Sequence, residues 1–347
     1  MRFDEFIRSQ NNDKLFLIAE AGVNHENSLE KAKKMISLAA KAGCSSIKFQ
    51  SYKATQLASK KAKSYWDTNS ESEKSQFQLF SKYDKFDFKD YLKLKEYCDK
   101  KNIEFSTTVF DHKEISKYSE ILNFFKIASA DITNKPLIEA IAKEQKPVIM
   151  STGAASIGEI ETVVNYFKEK RIPVTILHCV LNYPCEPINA SLKKIRYLKK
   201  VFPDNIIGYS DHVPTINGNL HLHVARLMGA QVIEKHFTLN KDLKGNDHYH
   251  SFDYNDIISY RNEEKFIYDL LNDSFLDIKN QKSAIKNARR SIVAKKTIEK
   301  NELIDLSNIE IKRPGTGISP KYIKYIVGLK TTKKIAEDEP IKWDDFK

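Results

Sequence analysis

Between Leu15 and Leu239 the sequence writes a short apolar, strand-like run eight times, and most of these runs finish on reactive polar groups. The first four are LFLIAEAG from Leu15, SIKFQSY from Ser46, IEFSTTVF from Ile103 and FFKIASAD from Phe124. The next four are PVIMSTG from Pro147, PVTILHCV from Pro173, NIIGYSDH from Asn205 and QVIEKHFT from Gln231. Continuous apolar runs belong to strands buried on both faces, as in a parallel sheet covered by helices. Helical patterns fill the gaps, at about 88–101, 136–144, 156–170, 190–201, 217–228 and 254–272, with a weaker one at 112–121. After the first run Ser28 is placed to cap a helix whose apolar face repeats at Leu29, Ala32, Ile36 and Ala39, and Gly43 closes it. Eight strand–helix units predict an α/β fold of the (β/α)8 TIM-barrel type, with its chemistry at the C-terminal ends of the strands.

The length of 347 residues suits a barrel of roughly 250 residues plus a small appendage. We expect the barrel over 1–276, a Lys- and Asn-rich linker over 277–287, and a small β-rich domain over 288–347, where helical periodicity stops. Residues 53–87 separate the second strand from its helix by more than a compact barrel requires. With Trp66 and many polar side chains they read as a substrate cover. The charge of +11 is spread over lysine-rich helix faces interleaved with acids. That argues against a nucleic-acid surface and is compatible with recruiting an anionic small substrate. No run approaches the roughly 18 apolar residues of a membrane span, and the polar start MRFDEFIRSQNNDK has no signal-peptide core. The expectation is a cytoplasmic protein without membrane or nucleic-acid partners. Cys44, Cys98, Cys179 and Cys185 contain no CxxC pair, which argues against a zinc site or a disulfide framework.

Two histidines end neighbouring runs: His212 in SDH and His236 in EKHFT. They could share a divalent cation at the barrel mouth, or serve only as hydrogen-bonding groups. Lys48 and Lys126 fall within strands, where an inward lysine needs an anionic partner. That partner could be a structural carboxylate, with Glu20 and Glu234 as candidates, or a phosphate; a Schiff base is the third option. The hydroxyls of Thr108, Ser129, Ser151, Thr152 and Ser210 crowd the same rim.

The ordered set IAEAGVNHENSLEKA, IKFQSYKA, FKIASADITN, STGAASIGEI, LHCVLNYP, GYSDH, EKHFT and KRPGTGISP resembles the sialic acid (N-acetylneuraminate) synthase family. The resemblance runs from about residue 15 to the C-terminus and includes that family's antifreeze-like (SAF) terminal domain. It implies condensation of phosphoenolpyruvate with N-acetylmannosamine, or a related N-acylated amino sugar, to a nine-carbon keto acid and phosphate. Manganese or magnesium on His212 and His236 is implied as the Lewis acid. By the same resemblance Lys48, Thr108, Lys126, Ser129, Ser151 and Ser210 hold phosphoenolpyruvate. Gln50, Asp131, Tyr183 and Asp247 lie near the sugar, and Glu20 and Glu234 near the reacting carbons. Arg313, in KRPG, matches an arginine that the terminal domain inserts into the partner subunit, so a domain-swapped homodimer is implied.

Three positions depart from the family's pattern. Leu181 stands where asparagine is frequent, with Asn182 beside it; Asp131 is shorter than the glutamate of some members; and Asn301 takes a turn position usually held by glycine. Rival readings are the diacetamido trideoxy sugar that leads to legionaminic acid, a Schiff-base aldolase on Lys48 or Lys126, and a non-enzymatic glycan- or ice-binding role.

Overall fold

The computed structural model describes residues 1–9, 14–66, 68, 71–215, 218–245, 247–271 and 278–346. All eight apolar runs are strands: β1 Phe16–Gly22, β2 Ser46–Ser51, β3 Glu104–Val109, β4 Phe125–Ile127, β5 Val148–Ser151, β6 Val174–Cys179, β7 Ile206–Asp211 and β8 Val232–His236. They form one parallel sheet in the order β3-β2-β1-β8-β7-β6-β5-β4. The two end strands, β3 and β4, pack against each other and bring the sheet round into a barrel.

The helices stand where capping chemistry puts them. Ser28 accepts from the Lys31 amide at the head of Leu29–Lys41, and Gly43 ends that helix at φ +82°. Asp87 and Ser156 form capping boxes at Phe88–Lys100 and Ile157–Glu169. The weaker pattern at 112–121 condenses to Ile115–Ser119. Apolar faces of these helices and the outward side chains of the strands make one continuous core.

Two elements were absent from the sequence reading. Residues 3–9 form a helix, Phe3–Ser9, whose Phe3 and Phe6 join Phe16 and Phe124 at the foot of the barrel. The Phe3 amide donates to the buried Glu104 carboxylate at 2.7 Å. The long 53–87 connection is partly helical, with Ala54–Leu57 and Gln76–Tyr83. Within it Trp66 is buried, and its Nε1 donates to the Glu73 carbonyl at 3.1 Å.

The chain divides into two compact units, Met1–Ile267 and Tyr268–Lys347, nine residues before the boundary expected at 276. The expected linker is helical over Ile278–Gln281 and Lys282–Ala288. A Cβ on Gly315 would stand 2.8 Å from the Ile285 carbonyl, and the Gly315 amide donates to the Lys286 carbonyl at 2.8 Å. This close approach of backbones ties the helix to the RPGTG loop, which composition alone does not reveal. The second unit pairs β9, Ser291–Ala294, antiparallel with β10, Ile309–Lys312. Eight isoleucines, among them Ile292, Ile309 and Ile341, and Ala294 fill its core. Asn301 takes φ +69°, the left-handed geometry expected of its turn. Among the described residues no helix is long and apolar enough to cross a membrane.

Candidate active site

The C-terminal ends of the strands surround a cavity of about 450 Å³. Its wall contains Glu20, Lys48, Gln50, Thr108, Lys126, Ser129, Asp131, Ser151, Tyr183, Ser210, His212, Glu234 and His236. Thirteen of the fifteen site residues expected from sequence therefore meet in one place. Asp247 lines an adjoining cavity of about 90 Å³ that shares Gln50, Tyr183 and His236. Arg313 is exposed and belongs to the second unit. Thr152, the remaining hydroxyl, instead donates to the Leu177 carbonyl at 2.9 Å. Leu181 is part of the large cavity's wall.

Strand register explains the convergence, because alternate residues share a face. Glu20 is the partner of both Lys48 and His236, and Ser210 is the partner of Glu234. Lys48 Nζ lies 2.7 Å from Glu20 Oε2 and 3.8 Å from Glu234 Oε2, and donates to Thr108 Oγ1 at 3.1 Å. Lys126 Nζ lies 3.6 Å from Glu234 Oε1 and donates to Ser151 Oγ at 2.7 Å. Ser210 Oγ donates to Glu234 Oε1 at 3.1 Å, and Gln50 Nε2 to Glu20 Oε1 at 2.9 Å. The Gly153 amide donates to Ser129 Oγ at 2.9 Å.

Two cations and two carboxylates thus balance on the cavity wall, all four side chains largely buried. Burial pushes Glu20 up to about 7, against the lowering pull of Lys48. Although burial alone would lower it, Lys48 is held above its ordinary value by Glu20 and then Glu234. Burial carries Lys126 below its ordinary value, and Glu234 only partly offsets this. Burial also raises Asp131.

The imidazoles gather at one side. The rings of His212 and His236 are 5.5 Å apart at 50°, and Tyr183 packs on His212 with centroids 4.0 Å apart. The His212 Nδ1–H donates to the Val180 carbonyl at 2.8 Å, so Nε2 is the ring nitrogen that could ligate a cation. His236 Nδ1 is buried without a hydrogen bond to any described residue, 3.7 Å from Asp247 Oδ2. Burial, with His250 and His212 close by, pushes His236 well below its ordinary value, so it stays in the neutral form that ligates cations.

Among the described residues, the three-residue set able to hold a cation differs from the expected pair. His236, Asp247 and His250 offer ligand atoms within 4.8 Å of one another, while His212 stands beside this trio, its ring 6.3 Å from that of His250. His250 escaped the sequence reading, and Asp247 was read only as a sugar contact. The signal was DHYH at 247–250, in the connection that follows the eighth strand. Its return to the barrel mouth depends on the Phe252 amide, which donates to the His236 carbonyl at 2.7 Å.

Comparison with known proteins places this chain. Residues 35–271 match the model of the NeuB family, and 289–347 that of the SAF domain. The chain belongs to the NeuB family. Its NeuB relatives include the N,N'-diacetyllegionaminic acid synthase of Campylobacter jejuni, 38% identical over 95% of this chain and 99% of that protein. A pseudaminic acid synthase of Campylobacter jejuni is 33% identical over 96% and 97%. Among solved structures, the N-acetylneuraminic acid (sialic acid) synthetase of Leptospira borgpetersenii, in complex with citrate, superposes with a TM-score of 0.69. It is 36% identical, over 79% of this chain and 91% of that one. The names of these relatives carry three different nonulosonic acids.

Proposed function

We propose that this chain is a nonulosonic acid synthase that condenses phosphoenolpyruvate with the open-chain aldehyde of an N-acylated amino sugar, N-acetylmannosamine being the first candidate. The observation that carries this reading is the pairing, in one cavity, of a buried two-lysine, two-glutamate cluster with a neighbouring set of imidazoles. Lys48, Lys126, Ser151 and Thr108 supply cations and hydroxyl donors for a phosphate and a carboxylate. Ser129 and Ser210 stand beside them. On the sugar side, Gln50, Asp131 and Tyr183 read hydroxyl and acyl groups, with Asp247 close to the aldehyde end.

C3 of phosphoenolpyruvate forms the new bond to the aldehyde carbon, whose oxygen keeps the displaced electron pair and takes a proton to become a hydroxyl. The cationic C2 lies against Glu20 and Glu234, whose carboxylates offset its charge. Water adds at C2 and gives up its proton; Glu20, raised to about 7, can accept that proton near neutral pH. The C2–O bond to phosphorus then breaks, phosphate leaves with the bridging oxygen, and the ketone forms.

A divalent cation suits the donors present: neutral His236 with an unpartnered Nδ1, His212 with Nε2 turned from its carbonyl bond, Asp247 and His250. Bound there, manganese or magnesium would supply Lewis-acid polarisation of the aldehyde. Arg313 of the partner subunit, delivered by a domain-swapped homodimer, would complete the acyl contact.

A diacetamido trideoxy sugar is the second reading. The smaller cavity favours it, because Tyr52, Trp66, Leu79 and Phe80 give that cavity an apolar side suited to a methyl or acyl group.

A mass-spectrometric assay of the purified protein with phosphoenolpyruvate, manganese and a panel of 2-acetamido sugars tests the function. The expected product is a nine-carbon keto acid, and label from [2-18O]phosphoenolpyruvate should leave in phosphate. No product with any sugar, or label kept in the keto acid, refutes the reading. Activity that survives full chelation, with borohydride trapping of the keto acid on Lys126, would replace it by a Schiff-base aldolase.

A further inference from the structure

The outer side of β7 and β8 carries a second charged set that the steps above do not use. Asp211 and Lys235 are register partners at the ends of these strands, and each directly precedes a cavity histidine. Successive strand residues face opposite sides, so this pair points away from the cavity into the sheet–helix layer. Their side chains are 0% and 1% exposed, which seals both charges from water.

Each oxygen of the Asp211 carboxylate faces two donors. Lys235 Nζ lies 2.7 Å and His221 Nε2 2.8 Å from Asp211 Oδ2. The Tyr209 hydroxyl donates to Oδ1 at 2.8 Å, and the Val213 amide to the same oxygen at 3.0 Å. Lys235 donates in turn to the Val213 carbonyl. Val213, the residue after His212, is therefore gripped at both its N–H and its C=O by charges from two strands.

Such a pair is a poor choice for stability alone. Apolar residues of similar volume often serve a buried position as well or better. The surroundings would accept them, since Ile233 and Phe237 point into the same layer and Lys235 lies over the Phe252 ring. What the ion pair adds is direction, because charge-assisted hydrogen bonds fix angles that methyl contacts leave loose.

We propose that Asp211 and Lys235 are positioning residues: their ion pair locks the ends of β7 and β8 so that the His212 and His236 rings, 5.5 Å apart, can share one divalent cation. The proposal rests on the metal reading given above.

The test titrates full-length, metal-stripped protein with manganese, reading the free ion by electron paramagnetic resonance, for the wild type, Lys235→Met and the double variant Asp211→Asn/Lys235→Met. The double variant removes both charges, so it buries no lone carboxylate and decides the matter where the single variant does not fold. The expected result is wild-type circular dichroism and manganese Kd raised about 10- to 100-fold, with phosphoenolpyruvate binding to metal-free protein changed by less than about twofold. Phosphoenolpyruvate is the control because its charged donors, Lys48 and Lys126, lie on other strands, and of its proposed contacts only the Ser210 hydroxyl, on the cavity face, shares β7. Manganese Kd within about twofold of the wild type in the folded double variant overturns the proposal, as does an equal loss of both ligands, the mark of a general structural defect. A wild type that binds no manganese sinks the metal reading itself, and this proposal with it.

Discussion

His25 offers the sharpest quantitative test of the energetics around the barrel mouth. It sits in the turn after β1, is 1% exposed, and neither ring nitrogen has a hydrogen-bond partner among the described residues. Its ring stacks on Phe86, with centroids 4.4 Å apart at 15°, and leans on Phe49 at 5.8 Å. The imidazole behaves here as an aromatic hydrophobe. Burial alone lowers its pKa from 6.5 to about 4. The unfolded chain therefore binds the proton first as pH falls, and stability drops from about pH 6.5 down to about pH 4. One pKa unit corresponds to about 1.4 kcal/mol, so the full window is worth about 3 kcal/mol, of which about 2 is lost between pH 7 and pH 5. His25→Phe keeps the stack and abolishes the titration. Urea unfolding of both proteins at pH 7 and pH 5, followed by circular dichroism, isolates this contribution, because every other titrating group is common to the two. The variant should match the wild type within about 1.5 kcal/mol at pH 7 and gain about 2 kcal/mol on it at pH 5. Two curves that fall in parallel would mean that His25 is not held neutral, and the reasoning from its burial fails.

Further outcomes follow from the same geometry. Lys126→Met removes a charged donor from the proposed phosphate site and should raise the phosphoenolpyruvate KM about 10- to 100-fold, corresponding to about 1.5–3 kcal/mol for a charged hydrogen bond; steady-state kinetics at saturating sugar would measure it. Arg313→Ala should raise the sugar KM far more than that of phosphoenolpyruvate, and equal effects would contradict its assignment to the acyl group. Asn301→Val forces a β-branched residue into φ +69° and should destabilise the second unit by about 1–2 kcal/mol in thermal denaturation, whereas Asn301→Gly should be tolerated. Phe3→Ala should cost about 3–5 kcal/mol in urea unfolding, since Phe3 is fully buried with its ring centroid 4.6 Å from that of Phe124 and 5.0 Å from that of Phe16.

Periodicity and strand-end chemistry in the sequence determined the eight strands, the barrel, and the inward face that carries Glu20, Lys48, Lys126, Ser210 and Glu234. They are legible because a strand alternates faces with a fixed period, so a polar residue in an apolar run announces its side. The ordered motifs gave the family as well. Tertiary structure alone decided what depends on chain segments returning from a distance. Phe3–Ser9 looks polar along the chain, yet it closes the barrel's foot because Phe3 meets Phe16 and Phe124 in space. His250 joins His236 and Asp247 because the loop after β8 folds back through Phe252. Asp211 and Lys235 read as ordinary strand-end charges until the register sets them face to face behind the two histidines. Local pattern fixes which way a side chain points, whereas the partner it meets there is set by register and loop closure, which no window of neighbouring residues contains.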